Sequence, residues 1–468
     1  MNIPTMWIIA VPPVCWRRTA APLAAAVLAT LALGGCATFS KDGGFDSVAR
    51  ETRNHLDKDV RWPRTKEEQA KVDGQVAGLL RHALSAEDAV QIALLNNRSL
   101  QAAFEELGIS EADLVQSGRL PNPRFTLRHA GTAAQYDIEE TLSFNVLALL
   151  TAPYVHETEK RRFAQAQSSA VAAVVRLAND TRRAFYAAVA ARATVHYLEQ
   201  VKTAAEAGAE LARRMVAAGN WNILDQAREQ GFYTDAAQRL THAGWAEDST
   251  REKLLRLMGL PGGQPAVELS QTLPDLPPRI EELPDVERAI LENRVDLRLQ
   301  RLKIEELSHD LGLTKATRFI DVLEAGPTRV LQGASSLPYE HGYEISLEIP
   351  IFDGGAPRVK RAEAVYSQAV DRFAQAAMDA RSQIREAYAA YRASFDIARQ
   401  QRDEVVPARK AIAAENLRRY NASLISVFDL LSDARGEIAS FDDYIQSVRD
   451  FWIAKSQLDG AMLGDSSP

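Results

Sequence analysis

Apolar residues at Tyr366, Val370, Phe373, Ala377, Ala380, Ile384, Ala387 and Tyr391 recur in alternating steps of four and three, the spacing of a coiled-coil seam on one face of a helix. The seam belongs to a predicted helix over 358–421, and a second one over 155–218 lies in a stretch free of proline from Pro153 to Pro261. At ~1.5 Å per residue each would be on the order of 95 Å long, beyond the width of one globular domain, so both need partners along their whole length. Much of the first is alanine on more than one face, with Val171, Val174, Phe185 and Val189 interspersed. This suits a helix packed on both sides in a curved wall, and a simple antiparallel coiled coil fits the periodicity as well. Pro407 is expected to kink or loosen the second helix before its tip.

A period of two marks other segments. Tyr136, Ile138, Leu142, Phe144 and Val146 alternate with Asp137, Glu139, Thr141, Ser143 and Asn145, Glu140 being the exception in the apolar phase. Tyr343, Ile345, Leu347, Ile349 and Ile351 alternate with Glu344, Ser346 and Glu348. Phe125–His129 and Phe319–Leu323 are the expected antiparallel partners. Such alternation fits a strand between lipid and water, and equally a half-buried strand of a soluble sheet. Four strands are too few to close a barrel, so a membrane barrel would need several chains.

The two halves share an order. Ala93-Leu94-Leu95-Asn96-Asn97-Arg98 returns as Ala289-Ile290-Leu291-Glu292-Asn293-Arg294, and Phe163-Ala164-Gln165-Ala166 as Phe373-Ala374-Gln375-Ala376. Each half reads as a helix (85–118, then 283–316), a strand pair, a long helix, a tight tip and a return helix. This divides the chain into repeats at 85–282 and 283–460, with a tail at 461–468. The tips fall at Ala218-Gly219-Asn220-Trp221-Asn222-Ile223-Leu224-Asp225 and Tyr420-Asn421-Ala422-Ser423-Leu424-Ile425-Ser426-Val427-Phe428-Asp429. Gly219 and Asn220 tolerate the left-handed backbone that a helix reversal needs.

At the amino terminus, Arg17 and Arg18 precede an apolar run from Ala20 to Leu33 that ends in Gly34-Gly35-Cys36. This order resembles a bacterial lipoprotein signal, which would make 1–35 a removed peptide and Cys36 an acylated first residue. The twin arginine also allows an export signal for folded proteins, although the residues after it do not match. Residues 36–84 read as an extended polar segment from the anchor, with Trp62-Pro63 a docking point. The other cysteine, Cys15, lies in the removed segment, so the mature chain has no disulfide.

The net charge of −7 becomes −9 without the two arginines, which disfavours nucleic acid as a partner. After Cys36 no apolar run is long enough for a membrane helix, so any spanning part is expected to be β-barrel. The eight histidines are scattered, and His156-Glu157 lacks the second histidine of a zinc-protease helix. No nucleophile elbow or dinucleotide fingerprint is present. No enzyme, metal or cofactor is expected.

Leu347-Glu348-Ile349-Pro350-Ile351-Phe352-Asp353-Gly354-Gly355 resembles the corner between second strand pair and long helix in the TolC family of outer-membrane factors. Leu149-Leu150-Thr151-Ala152-Pro153 is a looser counterpart in the first half, and Leu120-Pro121-Asn122-Pro123 is similar to the family's entry to its first strand. The resemblance covers 85–460. It implies a mainly α fold with a small β part: long helical hairpins forming a trimeric periplasmic α-barrel, and four strands per chain in a shared twelve-stranded outer-membrane β-barrel. It also implies a homotrimer in outer-membrane lipid that passes substrate from an inner-membrane efflux pump and a periplasmic adaptor protein to the exterior. The tips, with Gly219, Asn220, Ser423 and Leu424, would face the adaptor. Asp429 matches an inward aspartate at the periplasmic gate and Tyr420 a gate tyrosine, with Asp225 a further candidate. The chain departs from the family where Ser432 replaces a second aspartate, Ile425 a gate arginine and Ser423 a glycine. The competing readings are a periplasmic adaptor, itself often lipid-anchored with a helical hairpin, and a coiled-coil lipoprotein without a pore.

Overall fold

The computed structural model describes residues 38–131, 136–261, 267–280, 282, 294–333 and 338–465. Cys36 and the whole segment 1–35 lie outside the described residues, as do 283–293 at the start of the second repeat's first helix.

The first repeat runs through α3 (Ala86–Asn96), α4 (Arg98–Ser117), β1 (Arg124–Gly131), β2 (Tyr136–Asn145), α5 (Val146–Ala217) and α6 (Ile223–Leu257). The second runs through α7 (Val295–Ala316), β3 (Val322–Gly333), β4 (Glu340–Glu348), α8 (Ala356–Gln400), a π-helical turn (Gln401–Val405), α9 (Val406–Asn421) and α10 (Val427–Leu463). Ahead of both stand α1 (Phe45–Leu56) and α2 (Lys66–Leu79). The 72 residues of α5 make it ~108 Å long.

Several sequence expectations are corrected. The helix expected over 85–118 is two helices, because Asn97 leaves helical geometry (φ −68°, ψ 121°) and caps α4 through its side chain, which accepts from Leu100 N at 3.0 Å. The break docks on the end of α6: Asn97 Nδ2 donates to Leu257 O at 2.8 Å and Asn96 Nδ2 to Gly259 O at 2.8 Å. Val146, read as the end of a strand, opens α5 because Asn145 accepts from Ala148 N at 2.7 Å as an N-cap. The helix then runs through Pro153.

The partner of the last strand is Val322–Gly333, and Phe319 precedes it. Residues 324–333 include Gly326-Pro327 and show no alternation, so their extended form is imposed by the strands on either side. Ile349 and Ile351 lie beyond β4. The long helix expected over 358–421 is interrupted by the π turn just ahead of Pro407. There the ladder gives way near the proline that cannot donate to it.

The described part of the 36–84 segment, residues 38–84, is largely helical and not extended. Helices α1 and α2 bury Val48, Thr52, Val72 and Val76 against the bundle. Trp62 does dock: its Nε1 donates to Glu105 Oε1 at 3.0 Å, and the Arg64 guanidinium lies 3.9 Å from its ring centre.

The core is built around α5. Val171 and Val174 pack with α1, α3 and α4, and Phe185 and Val189 pack with α2, α3 and the end of α6, which accounts for apolar residues on several of its faces. The coiled-coil seam buries Ala380, Ile384 and Tyr391 and continues through Phe395 and Ala398, the last three meeting Phe451 and Leu458 of α10. Val370 of the expected seam is exposed. A strap over 267–280 lies across these helices, seating Leu269 in the first cluster and Leu276 in the α8–α10 cluster.

Candidate functional site

At one end of the long helices sits a four-stranded antiparallel sheet in the order β1-β2-β3-β4. Cross-strand partners share a face, so the register assigns the faces. Phe125↔Leu142, His129↔Ile138, Ile138↔Leu331, Phe144↔Ala325, Ala325↔Ile345 and Leu323↔Leu347 put the large apolar residues together. Phe125, Leu127, Tyr343 and Ile345 on this face are exposed. Glu140, the exception in the alternation, is on it too, paired across the sheet with Arg329. The other face carries Arg124, Arg128, Glu139, Thr141, Glu324, Thr328 and Glu344, with Arg124 on Glu324 at 3.2 Å and the Thr141 and Thr328 hydroxyls 2.9 Å apart. The sheet therefore has an apolar face and a polar face, and β1 and β4 are its open edges.

The corner below β4 shows why its motif holds two glycines. Gly354 and Gly355 have φ 59° and 68°, and a Cβ on Gly355 would stand 2.0 Å from the carbonyl oxygen of Arg318. Only glycine lets the backbone enter α8 so close to the preceding loop. Around this corner Ile351 and Phe352 are exposed, Phe352 at 99%.

The two tips share one backbone design. Helix α5 ends with Gly219 at φ 74°, where Gly219 N donates to Val216 O at 3.0 Å and Asn220 N to Met215 O at 2.9 Å. Helix α9 ends with Ser423 at φ 56°, where Ser423 N donates to Tyr420 O at 2.9 Å and Leu424 N to Arg419 O at 2.8 Å. Both are Schellman closures. Three residues on, Asn222 and Ser426 cap the return helices, accepting from Asp225 N at 2.9 Å and Asp429 N at 3.1 Å. Asp225 and Asp429 thus occupy equivalent places in the first turn of α6 and α10, where the helix dipole favours a carboxylate. The two tips of the chain thus correspond residue for residue from Gly219 and Ser423 to Asp225 and Asp429.

The surroundings of the two aspartates differ. Asp225 uses both oxygens, Oδ2 accepting from Asn222 at 2.8 Å and Oδ1 from Arg228 at 3.3 Å. Asp429 uses only Oδ2, which accepts from Ser426 Oγ at 2.7 Å, and no cation lies on it among the described residues. Tyr420 is in the last turn of α9, partly exposed, and corresponds to Val216 in the first tip. Ile223 and Leu424 project at 77% and 74% exposure.

A buried ion pair ties the hairpins one turn beyond Asp225. Glu229, 1% exposed, accepts from Arg435 at 2.8 Å, and the guanidinium lies 4.3 Å from the Phe232 ring centre. Sequence alone did not single out this pair. Each residue lies among other polar residues, and its partner is 206 positions away.

Among the described residues no helix is long and apolar enough to cross a membrane, and no cluster of three histidine, cysteine or acidic residues could hold a metal.

No protein-family model matches the chain. The cobalt-zinc-cadmium resistance protein CzcC of Cupriavidus metallidurans is 25% identical over 278 residues, 58% of this chain and 64% of that relative's length. Among solved structures, the Campylobacter jejuni CmeC outer membrane channel superposes with a TM-score of 0.68 at 15% identity, over 88% of this chain and 91% of the other. The open state of the Neisseria gonorrhoeae MtrE outer membrane channel gives 0.66 at 16% identity, over 81% and 89%. The two-faced sheet on paired long hairpins is thus the fold of the TolC family of outer-membrane channels.

Proposed function

We propose that the chain is the outer-membrane component of a tripartite efflux system, a passive duct that carries substrate from an inner-membrane pump and a periplasmic adaptor to the exterior. The observation that carries this reading is the sheet: one exposed apolar face, one polar face and two open edges. A lone sheet of this kind would leave apolar surface in water and backbone groups unpaired. Joining β4 of one copy to β1 of the next in a homotrimer closes twelve strands, turns the apolar face to lipid and lines the lumen with the polar face. The hairpins then form an α-barrel across the periplasm. An acylated Cys36 anchors each copy beside the barrel.

In this arrangement the tips, with Gly219, Asn220, Ser423 and Leu424, meet the adaptor. Three copies of Asp429 ring the periplasmic entrance, with Tyr420 beside them, and the Asp225 ring, already compensated by Arg228, contributes less. A ring of three uncompensated carboxylates attracts cations and repels anions. The duct carries out no reaction, since the pump supplies the work and the channel only geometry.

The test is single-channel recording on the mature protein in a planar bilayer. The expected result is discrete channels with cation preference, and reduced preference with a wider entrance in Asp429→Ala. Channels indifferent to the substitution would remove Asp429 from the gate. Folded protein that leaves the bilayer silent would move the reading to an adaptor or a poreless coiled-coil lipoprotein.

A further inference from the structure

Between the core and the tips a cleft of 540 Å³ opens among α5, the strap, α9 and α10, within the size range of small-molecule sites. Its wall is aromatic. The Tyr197 and Phe441 ring centres are 4.6 Å apart, and Phe441 and Tyr444 6.1 Å apart. Leu273 and Pro274 of the strap contribute apolar surface, and Val406, directly after the π turn, lines another side. The three rings pack in tilted contact as a continuous aromatic wall and also border the open space of the cleft.

The polar groups of the cleft are unevenly placed. Glu437, one turn before Phe441 on α10, is half-buried, and among the described residues no hydrogen bond or ion pair engages its carboxylate. Asp275 of the strap is a second carboxylate. Lys410 and His196 are exposed, and His196 lies 3.8 Å from Glu199. Burial, joined by the charges of Glu437 and Asp442, pushes the Tyr197 hydroxyl up to about 12. Burial also raises Tyr444, with Asp275 and Asp403 adding to the effect against Arg402. Both phenols therefore remain neutral. An unpaired, half-buried carboxylate among aromatic faces favours a positive charge, which gains from the ring quadrupoles and from the carboxylate together. A bare metal ion would lack ligands here, so the matching shape is a charged centre inside an apolar body.

We infer that this cleft is a binding site for a monovalent organic cation with an aromatic or bulky apolar body, its charge held by Glu437 and its body by Tyr197, Phe441 and Tyr444. The site joins the first hairpin to the second, so an occupant braces α5 against α10. It does not depend on the duct reading, because it involves neither the sheet nor the tips.

The experiment is calorimetric titration of the full chain in lipid nanodiscs with tetraphenylphosphonium, using empty nanodiscs as the blank and tetraphenylborate as the anion of the same shape. The expected result is saturable binding of the cation at one site per chain, weakened about tenfold by Glu437→Gln and strengthened by Lys410→Ala, with no saturable binding of the anion. Phe441→Leu, checked for folding by circular dichroism, is expected to weaken the cation as well. Equal binding of both ions, indifference to Glu437→Gln, or no saturable binding to the folded protein, as when a neighbouring copy fills the cleft, would each overturn the proposal.

Discussion

The two hairpins follow nearly the same path with different materials. Helix α5 is unbroken and buries residues from Thr158 down to Ala212, close to its tip. Its counterpart is split by a π turn, and the lower piece, α9, buries none within the chain. The first tip turns on a glycine and pairs Asp225 with Arg228, whereas the second turns on Ser423 and, among the described residues, leaves Asp429 without a cation. One backbone design thus serves as a fixed wall in the first hairpin and as a less constrained, more highly charged element in the second. The backbone path of the two tips is therefore shared, and the difference between the hairpins lies in how much of each is buried and in which side chains surround the turn.

The contact that holds them together near the tips gives the largest expected effect. Arg435→Leu leaves Glu229 as an uncompensated buried carboxylate and should destabilise the protein by about 3 kcal/mol, read as a fall in the thermal midpoint by circular dichroism. Converting Glu229 to Leu as well should recover most of the loss, because an apolar pair needs no compensation. If the single change is silent, the hairpins are not joined at this point. The contrast in packing should also be visible without mutation. Amide exchange along Val406–Asn421 is expected to run at least about tenfold faster than along the Leu198–Ala212 stretch of α5, and equal protection would mean that contacts between copies cover α9.

Nearer the sheet the tie is again a glutamate, but one with several partners. Glu306 of α7 is buried and accepts from Arg162 at 2.9 Å, Gln165 at 2.8 Å and Lys303 at 2.6 Å. Burial pushes its carboxyl up, and the bonds from Lys303, Gln165 and Arg162 outweigh that and hold it below its ordinary value of 4.5. A lowered folded value means that the ionised group stabilises the fold above about pH 4.5 and that this stability is lost as the pH falls through the folded value. Glu306→Gln should therefore lower stability at neutral pH and flatten its decline in acid. An unchanged acid profile would assign that decline to other carboxylates.

Legibility in the sequence followed the physical signal each element leaves. Ala380, Ile384 and Tyr391 recur at seam spacing, and β2 alternates, so both were readable from residue type. The strand β3 was misplaced because its form comes from its neighbours. Helices α1 and α2 were missed because each buries only two residues, too few for a periodic pattern. Asp429 was reached by resemblance, but its equivalence to Asp225 needed the backbone. Glu229, Arg435 and Glu437 left no trace, since a charge that finds its partner, or lacks one, across the other hairpin looks in sequence like any solvated charge.

The smallest expected effect tests the comparison of the tips most directly. Gly219 and Ser423 hold the same position with φ of 74° and 56°, so exchanging their residue types changes backbone strain and little else. Gly219→Ser places a Cβ in the left-handed region and should cost about 1 kcal/mol. A Cβ at this position meets nothing within 4 Å, so any loss is conformational and not steric. Ser423→Gly removes the same strain but also loosens the unfolded chain, leaving a net gain of about 0.5 kcal/mol. Because a tip can fray without global unfolding, the readout is amide exchange at Asn220 and Leu424, whose N–H groups close the two turns. Slower exchange at Leu424 in Ser423→Gly, with faster exchange at Asn220 in Gly219→Ser, would show the strain at Ser423 to be real and tolerated. Opposite signs would mean that the serine hydroxyl contributes a contact of its own and that the second tip is the more tightly held of the two.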